Sequence, residues 1–172
     1  EIVNEKKVLD PNLILYDLHE GIRVSLHQRE SDNTDGMDLC LCRFEKTDKG
    51  MKVVFAGAKR PLYRSDKDGV IKRIKGSNAG IGGGQRKKYR FYENIPLELH
   101  KGESIYLTTD GFVDQVGASS RRTYGSRKFI KTLETVQKMN STDQKQTLLN
   151  ELSRHKREEE QRDDITIIGV RV

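Results

Sequence analysis

Residues 37–58 read "MDLCLCRFEKTDKGMKVVFAGA", and no other stretch limits the fold so strongly. Two segments suited to strands flank "TDKG", a turn-rich tetrapeptide with glycine where a positive φ is needed, and this pattern specifies an antiparallel hairpin. Cys40 and Cys42 lie two apart in the first strand. Strand alternation puts them on one face, in a geometry too strained to bridge comfortably, and no companion Cys or His stands at zinc-site spacing. They read as buried, reduced packing residues, which implies a reducing compartment.

The flanking sequence says what packs on this hairpin. In "LDPNLILYDLHEGIRVSLHQ", Asp10 is the N-cap and Pro11 the first helical residue. Leu15, Leu18, Ile22 and Leu26 then form one apolar stripe on a helix of about five turns. The preceding "EIVNEKKVL" reads as the end of another helix. "PLYRS" and "VIKRIK" around "DKDG" make a second hairpin, while "GSNAGIGGG", with five glycines in nine residues, reads as a loop. "KKYRFYENIPLEL" alternates around Tyr89, Phe91 and Ile95, and "ESIYLTTD" is a more apolar, more central strand. The period then becomes helical, with Phe129, Leu133 and Val136 on one face. "NSTDQKQTLLNELSRHKREEE" is a further helix capped by Ser141 or Thr142, and "ITIIGVRV" returns to the sheet. This order predicts an α+β fold, with antiparallel sheets covered by helices, rather than βαβ repeats. A length of 172 residues predicts one domain.

No apolar run reaches 18 residues, so the chain reads as a soluble protein or a soluble piece of a larger one. Lys and Arg number 32 against 26 Asp and Glu, with basic clusters at 59–60, 72–75, 85–90 and 120–122. Such runs are solvated faces or surfaces that attract phosphate groups. "KKYRFY" interleaves aromatic and basic residues as single-strand binders do, but it stands alone without a recognisable module, which argues against nucleic acid. His27, His100 and His155 have no partner at ligand spacing and read as surface or boundary residues.

Two acidic strand ends carry the chemistry. "YLTTDGFVDQ" places Asp110 at the tip of an apolar strand, and "QRDDITIIGVRV" places Asp163 and Asp164 just before another. A carboxylate entering a cleft loses hydration unless a cation or strong donor meets it, and magnesium or manganese takes oxygen ligands. The alternative is plain turn and capping chemistry, for which Asp and Gly are common.

In order, "DGMDLCL", "FAGAKRPLY", "IGGG", "YLTTDGFVDQ", "YGSRKFIKTL" and "RDDITIIGVRV" resemble the metal-dependent serine/threonine protein phosphatases of the PPM superfamily, in the bacterial SpoIIE and RsbU branch. The resemblance runs from about residue 10 to the end. It implies stacked antiparallel sheets flanked by helices, with Asp110 and Asp163 as metal ligands and Asp164 beside them. It implies two manganese or magnesium ions that activate a water for direct hydrolysis of phosphoserine or phosphothreonine, with no nucleophilic residue. The "C-x5-R" loop of a cysteine phosphatase is absent. Gly111 would keep the cleft open; Lys59 or Arg60, in a loop beside the cleft of related domains, would contact the substrate phosphate or else be solvated loop charges; and the loop from Gly82 to Gly84 would border the substrate path or else be a simple flexible connection.

The family's first acidic motif and its Asp-Gly-His-Gly motif have no counterpart here, and neither Asp35 in "TDGMD" nor His19 replaces them. The expectation is therefore a phosphatase domain lacking its N-terminal strands, with a catalytically silent module that only binds a phosphoprotein as the alternative. Its partner would be a phosphorylated small regulator of the STAS-like anti-sigma-antagonist kind. A homodimer is a candidate assembly. The domain would be cytoplasmic, with membrane attachment only through sensor domains outside this sequence.

Overall fold

The computed structural model describes residues 1–83, 90–119 and 121–172. In chain order the elements are α1 (Pro11–Ser25), β1 (Gly36–Met37), β2 (Leu39–Thr47), β3 (Gly50–Ala58), β4 (Leu62–Ser65), β5 (Ile71–Ile74), β6 (Ile81–Gly82), β7 (Ile95–Leu99), β8 (Ser104–Thr108), α2 (Gly111–Asp114), α3 (Ser126–Val136), α4 (Ser141–Lys156) and β9 (Ile167–Arg171). Every strand pair with a described register is antiparallel, in keeping with the α+β expectation. The chain divides into two compact units: Glu1–Leu62 with Ile74–Lys101, and Tyr63–Arg73 with Gly102–Val172. No helix among the described residues is long and apolar enough to cross a membrane.

In the first unit the expected hairpin forms in full register, from Leu39 opposite Ala58 to Thr47 opposite Gly50. β7 pairs with the other edge of β3, giving the order β2-β3-β7. Helix α1 starts at Pro11 after an extended Asp10, as the start signal requires. The Asp10 side chain does not cap the helix, however, and accepts a bond from Arg43 at 3.2 Å instead. The helix is 15 residues long, about four turns rather than five, because Leu26 already leaves helical geometry as its C-cap. Three of the four stripe residues pack: Leu15 is fully buried with Ala56, Ala58, Ile81 and Tyr92, and Leu18 and Ile22 lie against them, whereas Leu26, beyond the helix end, is exposed.

Four expectations fail in this unit. The opening residues form a turn, closed by Glu5 N–H donating to Glu1 O at 2.9 Å, rather than the end of a helix. The glycine segment is not all loop: β6 pairs with β1, bringing Met37 opposite Ile81. The missing side chains permit this, since a Cβ on Gly36 would lie 2.7 Å from Ile81 O. Among the described residues of "KKYRFYENIPLEL" the strand covers Ile95–Leu99, with Phe91 on the surface at 77% exposure. Tyr89, Lys87, Lys88 and Gly84 lie outside the described residues. Finally, Cys40 and Cys42 form no disulfide, as expected, but are only partly buried.

Beneath α1, His19 is 2% exposed and its Nδ1 accepts the Gly82 N–H at 3.0 Å. Gln28 Oε1 accepts the next amide, that of Gly83, at 3.1 Å. Burial pushes the His19 pKa down, and the positive charge of Arg90 adds to the effect. Holding the Gly82 proton requires a neutral ring with Nδ1 bare.

The second unit is built on the sheet order β5-β4-β8-β9, with β8 and β9 paired from Ser104 opposite Arg171 to Thr108 opposite Ile167. β8 is central and mostly buried, as its apolar sequence predicts. Phe129, Leu133 and Val136 of α3 and Leu148 and Leu152 of α4 join Tyr63, Ile71, Tyr106 and Phe112 in one core. Edge-to-face contacts of Tyr63 with Phe129 and of Phe112 with Tyr124 fix its geometry, at 5.3 and 4.9 Å between ring centres. The cap of α4 is Asn140, one residue before the expected Ser141, and its side chain accepts the Asp143 N–H at 2.9 Å.

Two outcomes follow from the first unit. Gly50 sits at φ +146°, and a Cβ there would lie 2.1 Å from Leu99 O. Gly50→Ala should therefore lose roughly 2–3 kcal/mol, read as a lower urea midpoint. For His19, the lowered folded pKa means that the unfolded chain takes up the proton first on acidification. Its stabilising contribution is complete above the unfolded value of about 6.5 and is lost as pH falls below it. Urea titrations at about pH 7 and pH 5 should show that acid loss, and His19→Gln, which keeps an acceptor but does not titrate, should flatten it.

Candidate active site

At the end of β8 the chain turns through Thr109 and Asp110 into the single turn of α2. Asp110 already has helical backbone angles, φ −79° and ψ −21°, and its carbonyl accepts the Asp114 N–H at 2.9 Å. Thr109 continues the pairing with the strand opposite. Its N–H donates to Thr166 O at 3.1 Å, its hydroxyl accepts the Thr166 N–H at 3.0 Å, and the same hydroxyl donates to Asp164 O at 2.9 Å. The backbone of Gly111 then lies directly against Asp164, where a Cβ would stand 2.6 Å from the Asp164 carbonyl oxygen. "TTDG" and "RDDIT" are thus one junction, and Gly111 is glycine because of this approach.

Asp110 is half-buried, while Asp163 and Asp164 are exposed. Asp163 Oδ1 accepts the Asp164 N–H at 2.8 Å, and Gln161 donates to the Asp163 carbonyl at 2.9 Å. A carboxylate has acceptor capacity beyond one such bond, and an all-oxygen donor set fits a hard divalent cation. Among the described residues, no three His, Cys, Asp or Glu side chains group closely enough to hold a metal by themselves. A cation here would fill its coordination from water, substrate oxygens or further groups.

Lys59 and Arg60 belong to the first unit. Both pair with Asp38: Lys59 Nζ stands 3.5 Å from Oδ1 and an Arg60 Nη 3.3 Å from Oδ2. The sequence-derived residues therefore fall into two groups: Asp110, Gly111, Asp163 and Asp164 at one strand junction, and Lys59 and Arg60 around Asp38. Sequence reasoning passed over Asp38, and weighed His19 only as a replacement for the missing Asp-Gly-His-Gly motif, not as a buried acceptor. The signal for His19 was present, since Leu15, His19 and Ile22 follow helical spacing and place a polar residue in an apolar stripe. Cys42 supplies no nucleophile: burial, with Cys40 beside it, pushes its thiol pKa up to about 12.

The sequence pattern of the family described as Stage II sporulation protein E (SpoIIE) matches residues 5–172. Among solved structures, the SiaA-PP2C domain of Pseudomonas aeruginosa is 32% identical with a TM-score of 0.80, over 95% of this chain and 60% of that one. The phosphatase domain of SpoIIE from Bacillus subtilis, in a manganese-presoaked form, is 15% identical with a TM-score of 0.58, over 92% of this chain and 71% of that one. The RsbU and RsbW domains of a Mycobacterium tuberculosis protein are 16% identical with a TM-score of 0.62, over 88% and 41% of the two chains. These last two likenesses concern the fold. No curated protein matches the chain. The family match over almost the whole length, with the α+β architecture and 32% identity to the SiaA-PP2C domain across 95% of this chain, leads to one conclusion: the chain belongs to the SpoIIE family of PP2C-type phosphatase domains.

Proposed function

We propose that residues 1–172 act as a metal-dependent protein serine/threonine phosphatase domain that removes phosphate from a small partner-switching regulator of the anti-sigma-antagonist type. The observation that carries this reading is the junction at which Gly111 and Thr109 clamp the Asp110 turn to the Asp164 backbone. Membership of the SpoIIE family and the likeness to a manganese-presoaked relative support it.

Asp110 and Asp163 are the carboxylates that would hold manganese or magnesium, with Asp164 as the third candidate. Such ions supply Lewis acidity, lowering the pKa of water and neutralising charge on phosphoryl oxygens. The chain's part is positioning. The Asp114 N–H bond fixes the Asp110 backbone, the two Thr109 hydroxyl bonds hold the opposite strand, and the Asp164 N–H orients one oxygen of Asp163. Preorganised ligands lose little entropy when the ion arrives. Direct hydrolysis also asks for no protein nucleophile, in agreement with a Cys42 thiol that stays protonated at neutral pH. The domain would work in the cytoplasm on a phosphorylated protein.

Manganese titrated calorimetrically into the chain and its Asp110→Asn variant, beside phosphate release from a phosphoserine protein, tests the reading. The variant should keep its melting temperature while metal affinity and manganese-dependent turnover fall by more than about 100-fold. Near-normal turnover would remove Asp110 from the ligand set. Cys42→Ser should leave turnover unchanged. Wild-type chain that binds a phosphoprotein without releasing phosphate would identify a silent binding module instead.

A further inference from the structure

We infer that the first unit carries a recognition site of its own: the cleft beside β1 and β6 binds an acidic, partly apolar segment of a partner protein through Lys59 and Arg90. The cleft has a volume of about 820 Å³ and is lined by Asp38, Lys59, Gly80, Gly82, Arg90 and Phe91, among others. That is within the range of pockets that hold several side chains and more than a single oxyanion fills.

The space exists because residue 80 has no side chain. A Cβ on Gly80 would lie 2.8 Å from Asp38 Oδ1 and 3.5 Å from the Lys59 Cε. With glycine there, the carboxylate and the lysine stem converge over bare backbone. Lys59 itself occupies the left-handed region at φ +60°, uncommon for a side chain that offers no local bond in compensation. Its conformation is held by its own N–H, which donates to Ser77 O at 2.8 Å, and by the Ser77 N–H, which donates to Gly57 O at 2.7 Å. A strained backbone that glycine would accept freely, yet which carries a half-exposed ammonium at the mouth of a cleft, points to use of that ammonium.

Charge then selects the ligand. Among the described lining residues Asp38 is the only carboxylate, and it is shared between Lys59 and Arg60. Arg90 lies on the same wall, anchored by a bond to Gly80 O, which also accepts the Tyr92 hydroxyl at 2.8 Å. Among the described lining residues two cations, Lys59 and Arg90, stand against one carboxylate, so the cleft favours an anion. Phe91 and Met37, 77% and 46% exposed, add apolar surface beside the charges. Carboxylates next to an apolar side chain match this combination. A phosphodiester backbone would meet Asp38 as a repulsive neighbour, and inorganic phosphate would leave Phe91 and Met37 uncovered. The site concerns recognition, needs no metal and no turnover, and is separable from the phosphatase reading: loss of hydrolysis in Asp110→Asn leaves it intact.

The test uses the whole chain without added metal. A fluorescent dodecapeptide of Asp and Glu with one central Leu is titrated by anisotropy, and amide chemical shifts map where it binds. Inorganic phosphate and a single-stranded oligonucleotide serve as competing probes. The peptide should bind with an affinity that falls with added salt, and should move the amide signals of residues 36–38, 59–60 and 78–83. Lys59→Gly removes the ammonium and relieves the positive φ, so it should weaken binding about three- to fivefold while the melting temperature holds or rises. Lys72→Ser, an equal loss of charge on β5, should bind as wild type does. Unchanged affinity in Lys59→Gly, shifts confined to other residues, or tighter binding of the oligonucleotide would each overturn the proposal. So would inorganic phosphate displacing the peptide at equal concentration. Shift mapping on the wild-type chain decides the matter even if a variant fails to fold.

Discussion

The register between β8 and β9 is the constraint on which the acidic junction depends. Thr108 pairs with Ile167, and Thr109 extends the ladder by three further bonds to the backbone between Asp164 and Thr166. Side chains alternate along a strand, so a slip of one residue would turn the inward set outward and carry Asp110 away from Asp164. The bond from Thr109 to Asp164 joins positions 55 apart in the chain. Gly111 allows no side chain between them, and the helices α3 and α4 bury the same sheet on the Tyr63, Tyr106 and Phe112 side. Core packing and the placement of the acidic side chains in the second unit are therefore one problem, since whatever holds the strands in register also holds the carboxylates.

In the first unit the corresponding link runs from α1 to the glycine segment. Apolar contacts of Leu15 dock the helix, but His19 and Gln28 make it specific, because each accepts a particular backbone amide. A buried imidazole without that partner would leave both ring nitrogen and amide unsatisfied, at a cost larger than the bond's net contribution when made.

Much of this architecture was legible because its signals are local. The hairpin across "TDKG", the start of α1 at Pro11, the apolar faces of α3 and α4 and the last strand are each encoded within a dozen residues. The two-residue strands β1 and β6 were not legible. They have no alternation to read, and their pairing rests on missing side chains at Gly36 and Gly82. The cap of α4 was misplaced by one or two residues because Asn140, Ser141 and Thr142 are all good caps, and only the observed bond from Asp143 N–H selects among them. Asp110, Asp163 and Asp164 were visible as motifs. The contact that unites Asp110 with Asp164 is a backbone approach with no sequence period behind it. The pairing of Lys59 and Arg60 with Asp38 was likewise invisible, since residues that meet across a fold leave no mark on spacing.

The glycine segment looks, by composition, like the most pliable part of the chain. Yet the amide protons of Gly82 and Gly83 are both engaged by side chains of α1 and the residues that follow it. Exchange of these protons with solvent then requires those side-chain contacts to open, for Gly82 the contact with His19 of α1. Gly82 becomes a clock for the undocking of an element some sixty residues earlier in the chain, and the loop's stiffness can be read as a property of the helix.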